Sequence, residues 1–170
     1  MLRAHVVAIG LILAVSACAT SGSPSPPSSQ PGSEPSVSVI RFLEASNAGD
    51  LEAMARIFGT SRGAVADRTG NTLTCAVRRV GSWIRLGDPC VPWSEIELRM
   101  NTIAIILEHE EYQLRSESTV AGRTRPTTRV GVDLETTAER IVDVPFVTVL
   151  GPGGAWYLEE IGLERITNPR

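Results

Sequence analysis

The spacing of apolar residues changes once along this chain, and that change restricts the fold more than any other feature. Up to about residue 108 apolar positions recur at helix spacing; from Tyr112 onward they alternate. Val39, Phe42, Leu43 and Ser46 fall on one helix face, and Gly49 stands where that helix would end. Asp50 is placed to cap a second helix, whose Leu51, Met54, Ile57 and Phe58 share a face before Gly59 stops it. Residues 60–72 read as a loop. Val77, Val80 and Ile84 suggest a short third helix ended by Gly87-Asp88-Pro89. Ser94 and Glu97 have capping-box spacing, and Ile96, Met100, Ile103 and Leu107 carry a long helix to about Glu108.

After the change, Tyr112, Leu114 and Val120 alternate with polar neighbours, and Val130, Val132 and Leu134 do so again. Residues 141–150 are apolar on both faces, the pattern of a central strand. Pro145 inside that run requires a bulge or an edge, because it has no N–H for the ladder. Residues 151–154 form a turn, and 156–161 return as a last strand. Helices followed by four strands on short connections give an α+β class.

Residues 1–17 have the three parts of a secretory signal: Arg3 in a short leading region, an apolar stretch, and small residues before a cut. The stretch is about ten residues, short of the ~20 that span a bilayer. Val15-Ser16-Ala17-Cys18 resembles the lipobox of bacterial lipoproteins. That resemblance implies a diacylglyceryl group and palmitate-type acylation on Cys18, with cleavage before it. At ~0.8 kcal/mol per buried methylene, two chains anchor stably. An ordinary secretory peptide with an incidental cysteine, or an uncleaved anchor, is the alternative. Ala19 is compatible with transfer to an outer membrane, so the expected address is the cell or outer membrane, with the domain facing the periplasm or exterior. Residues 18–36, rich in serine and proline, read as a disordered tether reaching up to ~50 Å. The folded domain is expected over 37–170.

Composition removes whole classes of chemistry. All sixteen basic residues are arginine, so lysine Schiff bases and P-loops are excluded. His5 leaves with the leader, and His109 alone cannot build a multi-histidine metal site. No metal or cofactor is expected. A net charge of -3 without a basic block gives no reason to expect a nucleic-acid partner. Cys75 and Cys90 in an exported chain read as a disulfide closing a loop worth ~3 kcal/mol in the chain-entropy treatment. Two reduced thiols or a redox pair are the alternatives, but the spacing is not C-x-x-C.

The element order, with Phe42-Leu43-Glu44-Ala45 and Asn47-Ala48-Gly49-Asp50-Leu51-Glu52-Ala53, resembles the NTF2-like (SnoaL-like) superfamily. The resemblance implies N-terminal helices packed on a curved four-stranded antiparallel sheet around a conical pocket, and in some members a homodimer through the open sheet face. The superfamily holds isomerases, dehydratases, protein-binding modules and small exported domains, so fold does not confer function. Candidate pocket residues are Asp143, Asp133, Tyr112, His109 and Trp156. Asp143 in an apolar strand is either a desolvated general base or the partner of an arginine such as Arg129 or Arg140. His109 is either a ligand or proton shuttle, or the exposed end of the long helix. Tyr112, Tyr157, Trp83, Trp93 and Trp156 read as core or cavity wall. No catalytic residue is assigned. Three readings follow: a lipoprotein binding a small apolar ligand or a protein, a pocket enzyme of isomerase or dehydratase type using a buried carboxylate, and a structural envelope protein.

Overall fold

The computed structural model describes residues 28–70, Cys75 and 90–168. The leader with Cys18, Trp83 and the third helix expected around Val77, Val80 and Ile84 lie outside them. The described residues form a mixed α+β fold. Helices α1 (Pro35–Asn47), α2 (Leu51–Ile57), α3 (Trp93–Ile106) and α4 (Glu164–Thr167) accompany a four-stranded antiparallel sheet. Strands β1 (Gly59–Thr60) and β2 (Gly63–Ala64) form a minimal hairpin, and β3 (Thr69–Gly70) pairs in parallel with β4 (Val91–Pro92). The main sheet is a meander of β5 (Glu111–Thr119), β6 (Thr127–Glu135), β7 (Arg140–Leu150) and β8 (Trp156–Ile161), in that spatial order. Cys75 and Cys90 are joined by a disulfide.

α1 begins at Pro35, a residue suited to the first helical turn because its missing N–H has no intrahelical partner there. The stripe of Val39, Phe42, Leu43 and Ser46 is buried as its spacing predicts. Asp50 caps α2: its Oδ1 accepts the Ala53 N–H at 2.9 Å. These helices and α3 share one buried cluster with the sheet, in which Phe42, Met54, Met100, Val132, Phe146 and Leu158 lie.

Four expectations need correction. Folding starts before Val37, because the end of the supposed tether is fastened to the domain. The Gly32 N–H donates to the Ser38 hydroxyl at 2.8 Å, that hydroxyl donates to the Trp156 carbonyl, and Arg41 reaches the Gln30 and Pro31 carbonyls. The loop at 60–72 contains the β1–β2 hairpin and a turn of 3-10 helix at Ala66–Arg68. Ser94 does not cap α3; the helix starts at Trp93 after Pro92, without a side-chain cap, since Pro92 already fixes the entry. It ends at Ile106, two residues short of Glu108.

Pro145 sits in an interior strand, not at an edge. Its carbonyl accepts the Gly162 N–H at 2.8 Å, so its nitrogen points towards the side where β8 has just ended at Ile161. The Gly162 carbonyl, which an N–H at residue 145 would meet, accepts the Arg165 N–H instead. The outer edge of β8 is itself covered by single bridges from Gly32 to Trp156 and from Phe58 to Leu158.

Replacing Asp50 with alanine removes the acceptor for the Ala53 N–H. The expected loss is about 1 kcal/mol of unfolding free energy, read from the midpoint of urea denaturation.

Candidate functional site

Along β6, Val130, Val132 and Leu134 enter the core, so Arg129, Gly131 and Asp133 face the other side of the sheet. Asp133 is nonetheless 4% exposed. Three donors from the two flanking strands close over it. Arg115 of β5 donates through Nε at 2.7 Å and Arg140 of β7 through Nη2 at 2.9 Å, both to Oδ2. The backbone N–H of Asp143, also in β7, donates to Oδ1 at 3.0 Å. Burial alone would raise the Asp133 pKa; the Asp143 N–H and the two guanidiniums overcome that and lower it from 3.8 to about 2.

The Asp143 N–H reaches Asp133 because β7 carries a bulge there. Pairing passes from Val132↔Val144 to Leu134↔Ile141, leaving Val142 and Asp143 opposite Asp133 alone. Asp143 adopts φ 53°, the one positive value among described non-glycine residues. Aspartate tolerates this left-handed region better than most residues. Its carboxylate turns to Arg129, 2.9 Å away, with Arg165 at 3.9 Å. Gly131 opposite makes the room, since a Cβ there would strike the Asp143 carboxylate and the Ser116 hydroxyl. Of the two readings of Asp143, the arginine-paired one describes its surroundings.

The other candidates lie elsewhere. His109 is buried, not the exposed helix end its acidic neighbours suggest. Its Nδ1 lies 2.7 Å from the Leu107 carbonyl, which can only accept, so Nδ1 carries the proton. Asn47 of α1 donates to the His109 carbonyl at 2.8 Å and accepts its N–H. The imidazole stands edge-to-face with Tyr112, ring centroids 5.6 Å apart. Burial, and then the Glu44 carboxylate, push the Tyr112 hydroxyl upward. Tyr112 and Asp133 line a common groove of about 340 Å³ at the β5 edge, together with Gln113 and Arg140. Trp156 opens β8 opposite Leu150, at the far end of β7 from Asp143.

Arg115, Arg129, Arg140 and Arg165 carry the electrostatics of this face, and sequence reasoning named Arg129 and Arg140 among them. An isolated glycine inside a strand pattern, Gly131, was the available signal of a close approach. No group of three or more histidine, cysteine, aspartate or glutamate residues suited to a metal ion occurs among the described residues. No protein-family model matches the chain, nor does any curated protein or solved structure.

The Asp133 pairing has a pH signature. Its folded pKa is depressed, so the associated stability is present above the ordinary value and is lost as pH falls through about 4 towards about 2. Urea denaturation over that window should give a steeper loss for the native chain than for Asp133→Asn. Parallel curves would mean that the carboxylate is not held by these donors.

Proposed function

We propose that this chain is an exported lipoprotein, anchored through acyl groups on Cys18, whose NTF2-like domain is a binding module and not a catalyst. The observation that carries the second half is the state of the sheet carboxylates. Isomerase or dehydratase chemistry needs a carboxylate poised to exchange a proton near neutrality. Asp133, bonded by two arginines and held at about 2, is a standing anion, and Asp143 is occupied by Arg129. Arginines fixed in this way are suited to recognition.

Support for the first half is the lipobox ending at Cys18 and the Cys75–Cys90 bridge, which suits an oxidising compartment. The shared core of α1, α2, α3 and the meander is compatible with helices covering one face of an NTF2-like sheet. The chain is fastened to the domain from Ser29, whose hydroxyl accepts from Arg56, through Gly32, which shortens any free spacer between Cys18 and the domain. A structural envelope role is favoured by one observation: Leu98 and Ile105, seven residues apart on one face of α3, are each 66% exposed.

Metabolic labelling with a tagged palmitate analogue checks the anchor. The native chain should take the label and sediment with membranes, whereas Cys18→Ser should lose the label and leave the membrane fraction. An unlabelled native chain would overturn the lipoprotein reading.

A further inference from the structure

The bulge that Asp133 fixes also shapes a groove of about 610 Å³ between the start of β7 and α4. Its apolar lining is Ile141, which is buried, and Val142, which the bulge leaves 57% exposed. The bulge thus presents an open valine on a face otherwise rich in ion pairs. Two cations, Arg140 and Arg165, two anions, Glu139 and Glu164, and the amide of Asn168 complete the lining.

These four charges do not neutralise one another. Arg140 is engaged by Asp133 at 2.9 Å, and Arg165 lies 3.9 Å from Asp143. Among the described residues, neither Glu139 nor Glu164 has an ion-pair partner within salt-bridge distance. Arg140 is thus held by Asp133, while Arg165 stands near Asp143 without a hydrogen bond to it, and the two glutamates line the groove without an ion-pair partner. Each guanidinium has five N–H donors, of which Arg140 uses only some on Asp133. The groove thus offers acceptors for a cation and donors for an anion beside an apolar contact, with no excess of either charge. A lone anion would meet the glutamates and a lone cation the arginines; a molecule carrying both charges satisfies both sets. The volume lies in the range of small-molecule sites.

We propose that this groove binds an α-amino acid with an aliphatic side chain. The carboxylate is received by Arg140 and Arg165, the ammonium by Glu139 and Glu164, and the side chain rests on Val142. The assignment rests on the binding-module reading, whose ligand class it names, and is independent of the lipid anchor.

The test is calorimetric titration of the full chain in detergent with L-leucine, leucinamide and 4-methylpentanoate. The two analogues lack the carboxylate and the ammonium respectively. L-Leucine should bind saturably, and each analogue should bind about tenfold more weakly or not at all. Glu164→Gln should weaken L-leucine by a similar factor while leaving the thermal midpoint unchanged, since that carboxylate has no partner to lose. Absence of L-leucine binding up to millimolar concentration, or analogues that bind as well as L-leucine, would overturn the assignment. Binding of L-leucine that Glu164→Gln and Val142→Ser both leave unchanged would also overturn this site, yet would leave the binding-module reading standing.

Discussion

A buried carboxylate with three donors organises the outer face of this sheet. Asp133 takes one arginine from β5, one from β7 and a backbone N–H from β7. An unpaired carboxylate at that depth would be costly, so the donors and the geometry that supplies them are jointly required. The Asp143 N–H reaches the carboxylate only because β7 accommodates an extra residue. That residue turns left-handed, Gly131 gives it room, and Val142 is left open to solvent. Removing the carboxylate would leave two guanidiniums without their common partner and the bulge without its acceptor.

The other face obeys a simpler rule. Apolar side chains from α1, α2, α3 and three strands exclude water from a single cluster, and the helices are placed by local chemistry at their ends. Asp50 starts α2, Pro35 starts α1, and Ser38 staples the incoming chain to Trp156. The two faces thus divide the work. Apolar burial supplies cohesion on one side, while ion pairing sets local geometry, and with it the groove, on the other.

Period and the Asp50 cap were legible because they act over a few residues, whereas the Ser94–Glu97 spacing produced no cap. The Val39–Phe42–Leu43 stripe, the Asp50 cap, the alternation in β6 and the span of β8 all follow from spacing alone. What spacing could not supply were interactions between strands. Asp143 looked like a polar intruder in an apolar run, and pairing with Arg129 was one of two outcomes the sequence allowed. The bulge depends on Gly131 and Asp133, ten or more residues away along the chain. His109 misled for a similar reason: its acidic neighbours suggest solvent, but Asn47, more than sixty residues earlier, draws its backbone into the fold. A serine–proline run suggested a free tether to residue 36, whereas Gly32 docks on Trp156.

Residue-resolved hydrogen exchange at the Asp143 amide reads the Asp133 contact itself. That N–H has Asp133 as its acceptor, so its protection depends on the carboxylate and not on the strand ladder. Slow exchange is expected in the native chain and a large, local loss of protection in Asp133→Ala, with the amides of Val132 and Phe146 still protected. An Asp143 amide that exchanges freely in the native chain, or that stays protected without the Asp133 carboxylate, would contradict that contact.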